Sequence, residues 1–220
     1  MSEKKKRSPL SFIVGLTVII LCAVGIVSIF SAISREADNR SKEKDSVRFG
    51  EYESFVAPII MYDPDTFDDI TVANTDQLIS IAIWSILGSE REPDAYEYSD
   101  DGMIIPASDV ESEYRKLFGN DAAFNHGTVD GGGIYFTYSE ASTSYIIPIT
   151  GVTPIYTPKV IEATERQNTV ILTVGYLASS DWVQDSQGNM VAPEPAKYMK
   201  ITLGKNADGS FYLSALQTAE

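Results

Sequence analysis

The sequence predicts an α+β domain in which helices pack on a curved antiparallel sheet. Apolar residues recur at helical spacing in the first half of residues 49–220, and from about residue 134 the apolar period changes to two. Helical segments followed by a run of short strands are typical of α+β domains, with the helices covering one face of the sheet.

Three helices are predicted from periodicity and end signals. The first contains the apolar positions of residues 49–60 and ends at Pro64. The second begins after Asn74 as N-cap, ends at Gly88, and is apolar enough to form the centre of the core. The third spans residues 109–118, between a capping box at residues 108–111 and a C-cap at Gly119, with an apolar face of Val110, Tyr114, Leu117 and Phe118.

Three β-hairpins are predicted where apolar residues alternate on both sides of a turn. Residues 181–195 are predicted to form a polar loop between strands. The paired strands are 134–138 with 144–149, 156–166 with 169–177, and 197–204 with 210–217.

The N-terminal part of the chain predicts a membrane anchor. Residues 11–33 contain no charged side chain and directly follow the basic residues 4–7. As a helix at about 1.5 Å per residue, this segment reaches roughly 34 Å, enough to cross a hydrocarbon core of about 30 Å. A cleaved signal peptide and a buried helix of a soluble core are the alternatives, but both usually contain shorter apolar stretches.

The anchor divides the chain into four parts. Residues 1–10 form a short basic cytoplasmic tail, 11–33 the transmembrane helix, 34–48 a polar, charged stalk, and 49–220 an extracytoplasmic domain. Both flanks carry Lys and Arg, so charge alone does not fix the orientation. A short basic tail before a single span favours a cytoplasmic N-terminus.

The extracytoplasmic domain is strongly acidic. Of the 17 Lys and Arg and 31 Asp and Glu, nine bases and five acids precede residue 49, which leaves 8 bases, 26 acids and a net charge of −18. This charge argues against nucleic acid as a partner, because phosphate binding requires clustered bases. Solubility alone is the favoured interpretation of this charge, and basic partners or divalent cations outside the cell are the alternative. The one cysteine, Cys22, lies in the anchor, so the domain has no disulfide.

The element order resembles the NTF2-like and cystatin-like class of cone-shaped folds. Segments at residues 63–67, 85–87, 105–108 and 145–158 are also similar to uncharacterised, membrane-anchored envelope proteins of Gram-positive bacteria. This resemblance covers most of the exported domain. It implies structural motifs, with no catalytic residues and no cofactor to carry over.

Few residues are candidates for chemistry. His126 is the only histidine, and its neighbours Asn125 and Gly127 favour a turn residue over a catalytic base. Gly131–Gly133 lacks the Lys-Ser/Thr of a phosphate loop and is interpreted as a flexible entry to the sheet. Two acidic groups are interpreted as solvated or capping carboxylates, with calcium binding as the alternative: Asp63, Asp65, Asp68 and Asp69, and Asp181 and Asp185 with Asn189.

Tyrosines are concentrated on the predicted strands. Aromatic residues on a sheet usually form the core or cross-strand pairs, but at the mouth of a cone-shaped fold they would form a surface for a ligand or peptide. The possible interaction surface is Tyr135, Tyr138, Tyr145, Tyr156 and Tyr176.

These observations together predict a non-enzymatic, single-pass membrane protein of the bacterial cell envelope. Its exported domain would act as an interaction or assembly module for other envelope proteins, with no catalytic, cofactor or metal residues predicted. The layout of a short inner tail, one span and an NTF2-like outer domain is also similar to VirB8-like subunits of secretion or conjugation machines. An envelope hydrolase with paired carboxylates is the other alternative.

Overall fold

The computed structural model describes residues 47–89, 95–149 and 154–219. The predicted tail, the anchor at 11–33 and residues 34–46 of the stalk lie outside this part of the chain. Among the described residues, no helix is both long enough and apolar enough to cross a membrane. The chain divides into two compact units, Met1–Gly50 and Glu51–Glu220, and the architecture below is that of the second.

Helix α1, described at residues 47–62, confirms the first predicted helix. Tyr52, Val56, Ile59 and Ile60 are all buried, as their spacing predicts. The helix continues through Pro58, which contributes no N–H to the helical hydrogen bonds. It ends before Asp63, whose φ of 57° turns the chain away in the left-handed region.

Helix α2, Thr75–Gly88, also has the predicted start and end. The Asn74 side chain accepts hydrogen bonds from the backbone N–H groups of Asp76 at 3.0 Å and Gln77 at 3.5 Å. A short 3₁₀ helix, Ile70–Val72, precedes it. Most of α2 lies in the core through Leu78, Ile79, Ser80, Ile81, Ala82, Ile83 and Ile86.

Helix α3, Ala107–Phe118, begins two residues earlier than predicted. The predicted capping box is wrong: the N-cap is Pro106, which makes no side-chain hydrogen bond, and the Ser108 hydroxyl donates to the neighbouring Asp109 carboxylate. The helix start is set by a strand that ends at Pro106 and runs directly into it. At the other end, Gly119 with φ of 75° confirms the predicted C-cap. The predicted apolar face is buried.

The strands form two main antiparallel sheets and one small hairpin. The first sheet has the order β1-β2-β5-β4-β3, the second has the order β11-β10-β7-β6, and β8 pairs with β9. The strands are β1 Glu97–Ser99, β2 Gly102–Pro106, β3 Val129–Asp130, β4 Tyr135–Ser139, β5 Ser144–Ile147, β6 Tyr156–Glu165, β7 Thr169–Ala178, β8 Val183–Gln184, β9 Met190–Val191, β10 Lys197–Lys205 and β11 Phe211–Thr218.

The three predicted hairpins are confirmed to within two residues at most strand ends, but they do not form one continuous sheet. Strand β5 pairs on one side with β4 and on the other with β2, so its hydrogen-bonding edges are occupied before β6 begins. The sequence prediction missed β1, β2 and β3. It also treated residues 181–195 as a loop, although β8 and β9 pair there.

Candidate functional site

The candidate site is an apolar groove between the ends of α1 and α2 and strands from both sheets. It consists of two adjoining pockets of about 370 Å³ and 350 Å³, which share Met61, Trp84 and Gly88. Both volumes lie near the lower end of the roughly 300–1,000 Å³ range of small-ligand sites. Among the described residues that line the two pockets, none is Asp, Glu, Lys, Arg or His.

Helix α1 forms one wall through a second face. Ser54, Ala57, Pro58 and Met61 all line the groove. Their spacing of three and four places them on one stripe of the helix, separate from the stripe buried in the core. The helix is therefore apolar on two sides, one of which is open. Small residues along the open stripe leave room for the pocket.

Trp84 forms the floor that both pockets share. Its indole N–H donates to the carbonyl oxygen of Gly131 at 2.9 Å. Its ring also packs edge-on against Phe136, with ring centres 5.3 Å apart. These two contacts fix the indole plane, so Trp84 presents a rigid aromatic surface. The adjacent Gly88 carries no side chain and keeps this surface accessible.

The opposite wall comes from strands and the chain around them. Tyr98 and Ile149 line the first pocket and are 52% and 77% exposed, which is unusual for side chains of their size. Tyr156 and Pro158, at the start of β6, line the second pocket. Thr157 lies between them, and within the described residues its hydroxyl is buried with no hydrogen-bond partner.

The five tyrosines predicted as an interaction surface fall into two clusters and one isolated residue. Tyr138 and Tyr145 are cross-strand partners with rings 5.1 Å apart, and Tyr156 and Tyr176 lie 5.5 Å apart in the other sheet. Tyr135 is 66% exposed and stands apart from both. Tyr145 and Tyr176 are fully buried, so they contribute no exposed surface. Tyr156 is the one member of the five that lines the groove.

His126 belongs to the first tyrosine cluster. Its ring stacks on Tyr138 with an interplanar angle of 9°, and its Nδ1 lies 3.2 Å from the Tyr145 hydroxyl. Phe124 packs edge-on against the same ring. Burial raises the pKa of Tyr145 to about 12. The cluster is therefore held together by aromatic packing and a hydrogen bond to a neutral phenol, which gives His126 a packing role that its sequence neighbours did not indicate.

Lys197 organises the second cluster. Its ammonium lies 2.6 Å from the Asp63 carboxylate, 4.8 Å from the centre of the Tyr176 ring and 5.3 Å from that of Tyr156. Burial, and to a lesser degree the Asp63 charge, raises the pKa of Tyr176. The Tyr176 hydroxyl is buried with no hydrogen-bond partner in the described part of the chain. Lys197 thus connects the end of α1 to the second sheet beside the groove.

The acidic residues after α1 do not converge on one point. Each of the four carboxylates has its own partner. Asp63 pairs with Lys197, Asp65 with the Gln77 amide, Asp68 with the Gln217 amide, and Asp69 with Thr71. The hydrogen bonds from Thr71 lower the pKa of Asp69. The sequence interpretation was solvated or capping carboxylates. Asp69 caps the 3₁₀ helix, and the other three are instead paired with side chains.

Two members of the second acidic group, Asp185 and Asn189, lie in the turn of the β8–β9 hairpin. Asp185 accepts hydrogen bonds from the backbone N–H groups of Gln187 and Asn189 and from the Asn189 amide, which together lower its pKa. Asp181 accepts instead from the Ser180 hydroxyl. Across the residues that the structure describes, no three His, Cys, Asp or Glu side chains are placed to hold one metal ion.

The glycine run has a defined turn geometry. The Asp130 carboxylate accepts hydrogen bonds from the backbone N–H groups of Gly132 and Gly133. Both glycines have φ near +90°, which side chains rarely adopt. Gly131 approaches the Phe136 ring too closely for a Cβ to fit. These contacts form a tight turn into β4, and they hold the Gly131 carbonyl that fixes Trp84.

Sequence reasoning missed the groove, although one signal was present. The stripe of Ser54, Ala57, Pro58 and Met61 at helical spacing is a second face of α1 that no core position requires. Comparison of the chain with protein-family models, with curated proteins and with solved structures found no match.

Proposed function

We propose that this chain is a single-pass membrane protein of the bacterial envelope whose exported domain is a non-enzymatic binding module. The uncharged groove carries the binding proposal. In a domain with a net charge of −18, the described lining residues include no Asp, Glu, Lys, Arg or His, and around a fixed tryptophan they offer dispersion contacts and a few hydrogen bonds. That is the chemistry of holding an apolar partner.

The uncharged segment at residues 11–33 supports the anchor, and the basic residues 4–7 support a cytoplasmic N-terminus. The NTF2-like or cystatin-like cone and the relation to uncharacterised Gram-positive envelope proteins stay predictions. Helices packed on antiparallel sheets support the first of these. Other envelope proteins are the proposed partners.

Topology can be tested with single cysteines, because the natural chain has one, at position 22. In a Cys22→Ser background, Ser2→Cys places a thiol in the predicted tail and Glu140→Cys places one in an exposed turn. We expect a membrane-impermeant maleimide to label Glu140→Cys in intact cells, and Ser2→Cys only after lysis. Labelling of Ser2→Cys alone would reverse the orientation. Release of the full chain by alkaline carbonate would contradict the anchor.

A further inference from the structure

We propose that the groove binds the hydrocarbon chain of a membrane lipid whose head group carries no net negative charge. This inference rests on the proposed function for the source of the ligand, since the anchor would hold the domain beside a bilayer. The composition of the groove gives the ligand class.

The lining offers almost nothing to a charged or strongly polar ligand. It combines Met61 and Trp84 with Tyr98, Met103 and Ile149, and none of the described lining residues is Asp, Glu, Lys, Arg or His. A charged group placed inside would lose its hydration without a partner. An apolar chain loses no such interaction on entry, and burying it is favourable by the hydrophobic effect.

The groove is also poorly suited to an extended peptide, the obvious alternative. Each residue of a peptide brings an N–H and a C=O that must find partners when buried. Four of the chain's 10 prolines line the groove, and proline has no N–H to offer. They are Pro58, Pro148, Pro154 and Pro158.

Three side-chain donors of the groove are already used within the fold, whereas the Thr157 hydroxyl is buried without a hydrogen-bond partner in the described part of the chain. The Trp84 indole donates to Gly131, the Ser85 hydroxyl donates to Glu113 at 2.7 Å, and the Ser89 hydroxyl donates to the Ile86 carbonyl at 2.7 Å. Peptide carbonyls would therefore meet few free donors. A hydrocarbon chain needs none.

The head group is constrained by the charge of the domain. With 26 acids against 8 bases in residues 49–220, the net charge of the domain disfavours an anionic head group at the rim. The Lys197 ammonium beside the groove is already paired with the Asp63 carboxylate. A zwitterionic or neutral head group avoids this cost. The exposed ring of Tyr98 provides an amphipathic rim, of the kind that favours the boundary between a hydrocarbon and water.

Trp84 makes a direct test possible. The chain has two tryptophans, so Trp182→Phe leaves Trp84 as the sole indole emitter. The full-length variant is placed in mixed micelles of a non-ionic detergent and phosphatidylcholine brominated on its acyl chains. Bromine quenches indole emission on contact. We expect loss of most of the Trp84 emission, relative to the same micelles with unbrominated lipid.

Two glycine variants show whether the quenching chain lies in the groove. Gly88 lies on the groove and Gly50 lies on α1, and a Cβ at either position meets nothing within 4 Å. Both are helical and exposed. We expect Gly88→Leu to fill the groove and restore emission, and Gly50→Leu to leave quenching unchanged.

Three results would overturn the proposal. These are no quenching, equal quenching in all three proteins, or quenching that only a short apolar peptide with bromophenylalanine produces. The last would make the groove a peptide site. Flotation of the full chain with phosphatidylcholine vesicles tests the anchor separately. The micelles supply lipid to the groove whether or not residues 11–33 anchor the chain in a bilayer. A failed flotation therefore contradicts the proposed function, and absent quenching contradicts the lipid inference alone.

Discussion

The Lys197 ammonium lies 2.6 Å from the Asp63 carboxylate, so the residue that directly follows α1 is joined to the first residue of β10. The two positions are 134 residues apart in the sequence. The pair is about one third and one quarter exposed, so its charges are partly screened. The ring of Tyr176 beneath the ammonium adds a second attraction.

Asp63→Asn is expected to lower the free energy of unfolding by about 1 kcal/mol, the upper end for a partly exposed ion pair. Asparagine tolerates the left-handed backbone of position 63, so the change removes charge without adding strain. Urea titration of the full chain in detergent measures the effect. Lys116→Met serves as control, because Lys116 is 68% exposed and pairs with Glu113 within one helix. An equal loss in both variants would contradict a special role for Lys197.

Gly204→Ala is expected to destabilise the domain by about 1–3 kcal/mol, because the new methyl group would overlap the Tyr212 ring. Tyr212 is the cross-strand partner of Gly204, and its ring also covers Gly119. Gly127→Ala meets nothing within 4 Å and is the matched control. If the ring is the cause, Tyr212→Leu in the Gly204→Ala background recovers part of the loss. No recovery would place the strain in the backbone instead.

Stability is expected to fall as the pH rises from about 10 to 12. Burial raises the pKa of Tyr114 and of Tyr145 to about 12, above the value of 10.0 for a free phenol. Between these values the unfolded chain has lost protons that the folded chain retains, so unfolding is favoured as the pH rises. Below pH 10 the full contribution is present.

Tyr145→Phe is expected to make the alkaline fall shallower, since it removes one raised phenol. The exposed Tyr98 provides the control, and Tyr98→Phe is expected to leave the slope unchanged. Thermal unfolding monitored by circular dichroism between pH 8 and about pH 12 compares the variants. An unchanged slope in Tyr145→Phe would show that another group controls alkaline unfolding.

The helices and hairpins were predictable because their signals are local. Asn74 caps α2 and Gly119 ends α3 in the structure as in the sequence interpretation. The start of α3 was not predictable from local signals. The apparent capping box at residues 108–111 competes with β2, which pairs with β5 far along the chain. The groove was even harder to predict from the sequence. Met61, Trp84 and Tyr156 come together through packing between elements, and no short stretch of sequence contains them.

Glu53→Ala is expected to destabilise the domain by about 1–3 kcal/mol, the range for losing a hydrogen bond to a charged group. Glu53 accepts from the buried Val160 N–H at 2.9 Å and lies 3.5 Å from the Lys159 ammonium. Strand β6 is an edge of its sheet, and its register shifts between Val160 and Glu162. A bulge and a covering carboxylate are both devices that stop an edge from pairing with another chain.

Glu53→Ala is therefore also expected to make the protein self-associate. Without Glu53 the Val160 N–H has no partner on α1, and pairing with a second copy would satisfy it. Urea titration measures the stability, and light scattering at increasing protein concentration measures association. The control is Glu51→Ala, two residues earlier on the same helix and exposed. It is expected neither to lose stability nor to self-associate. Loss of stability without association would mean that the bulge at Val160 protects the edge by itself, and unchanged stability would contradict the role of Glu53.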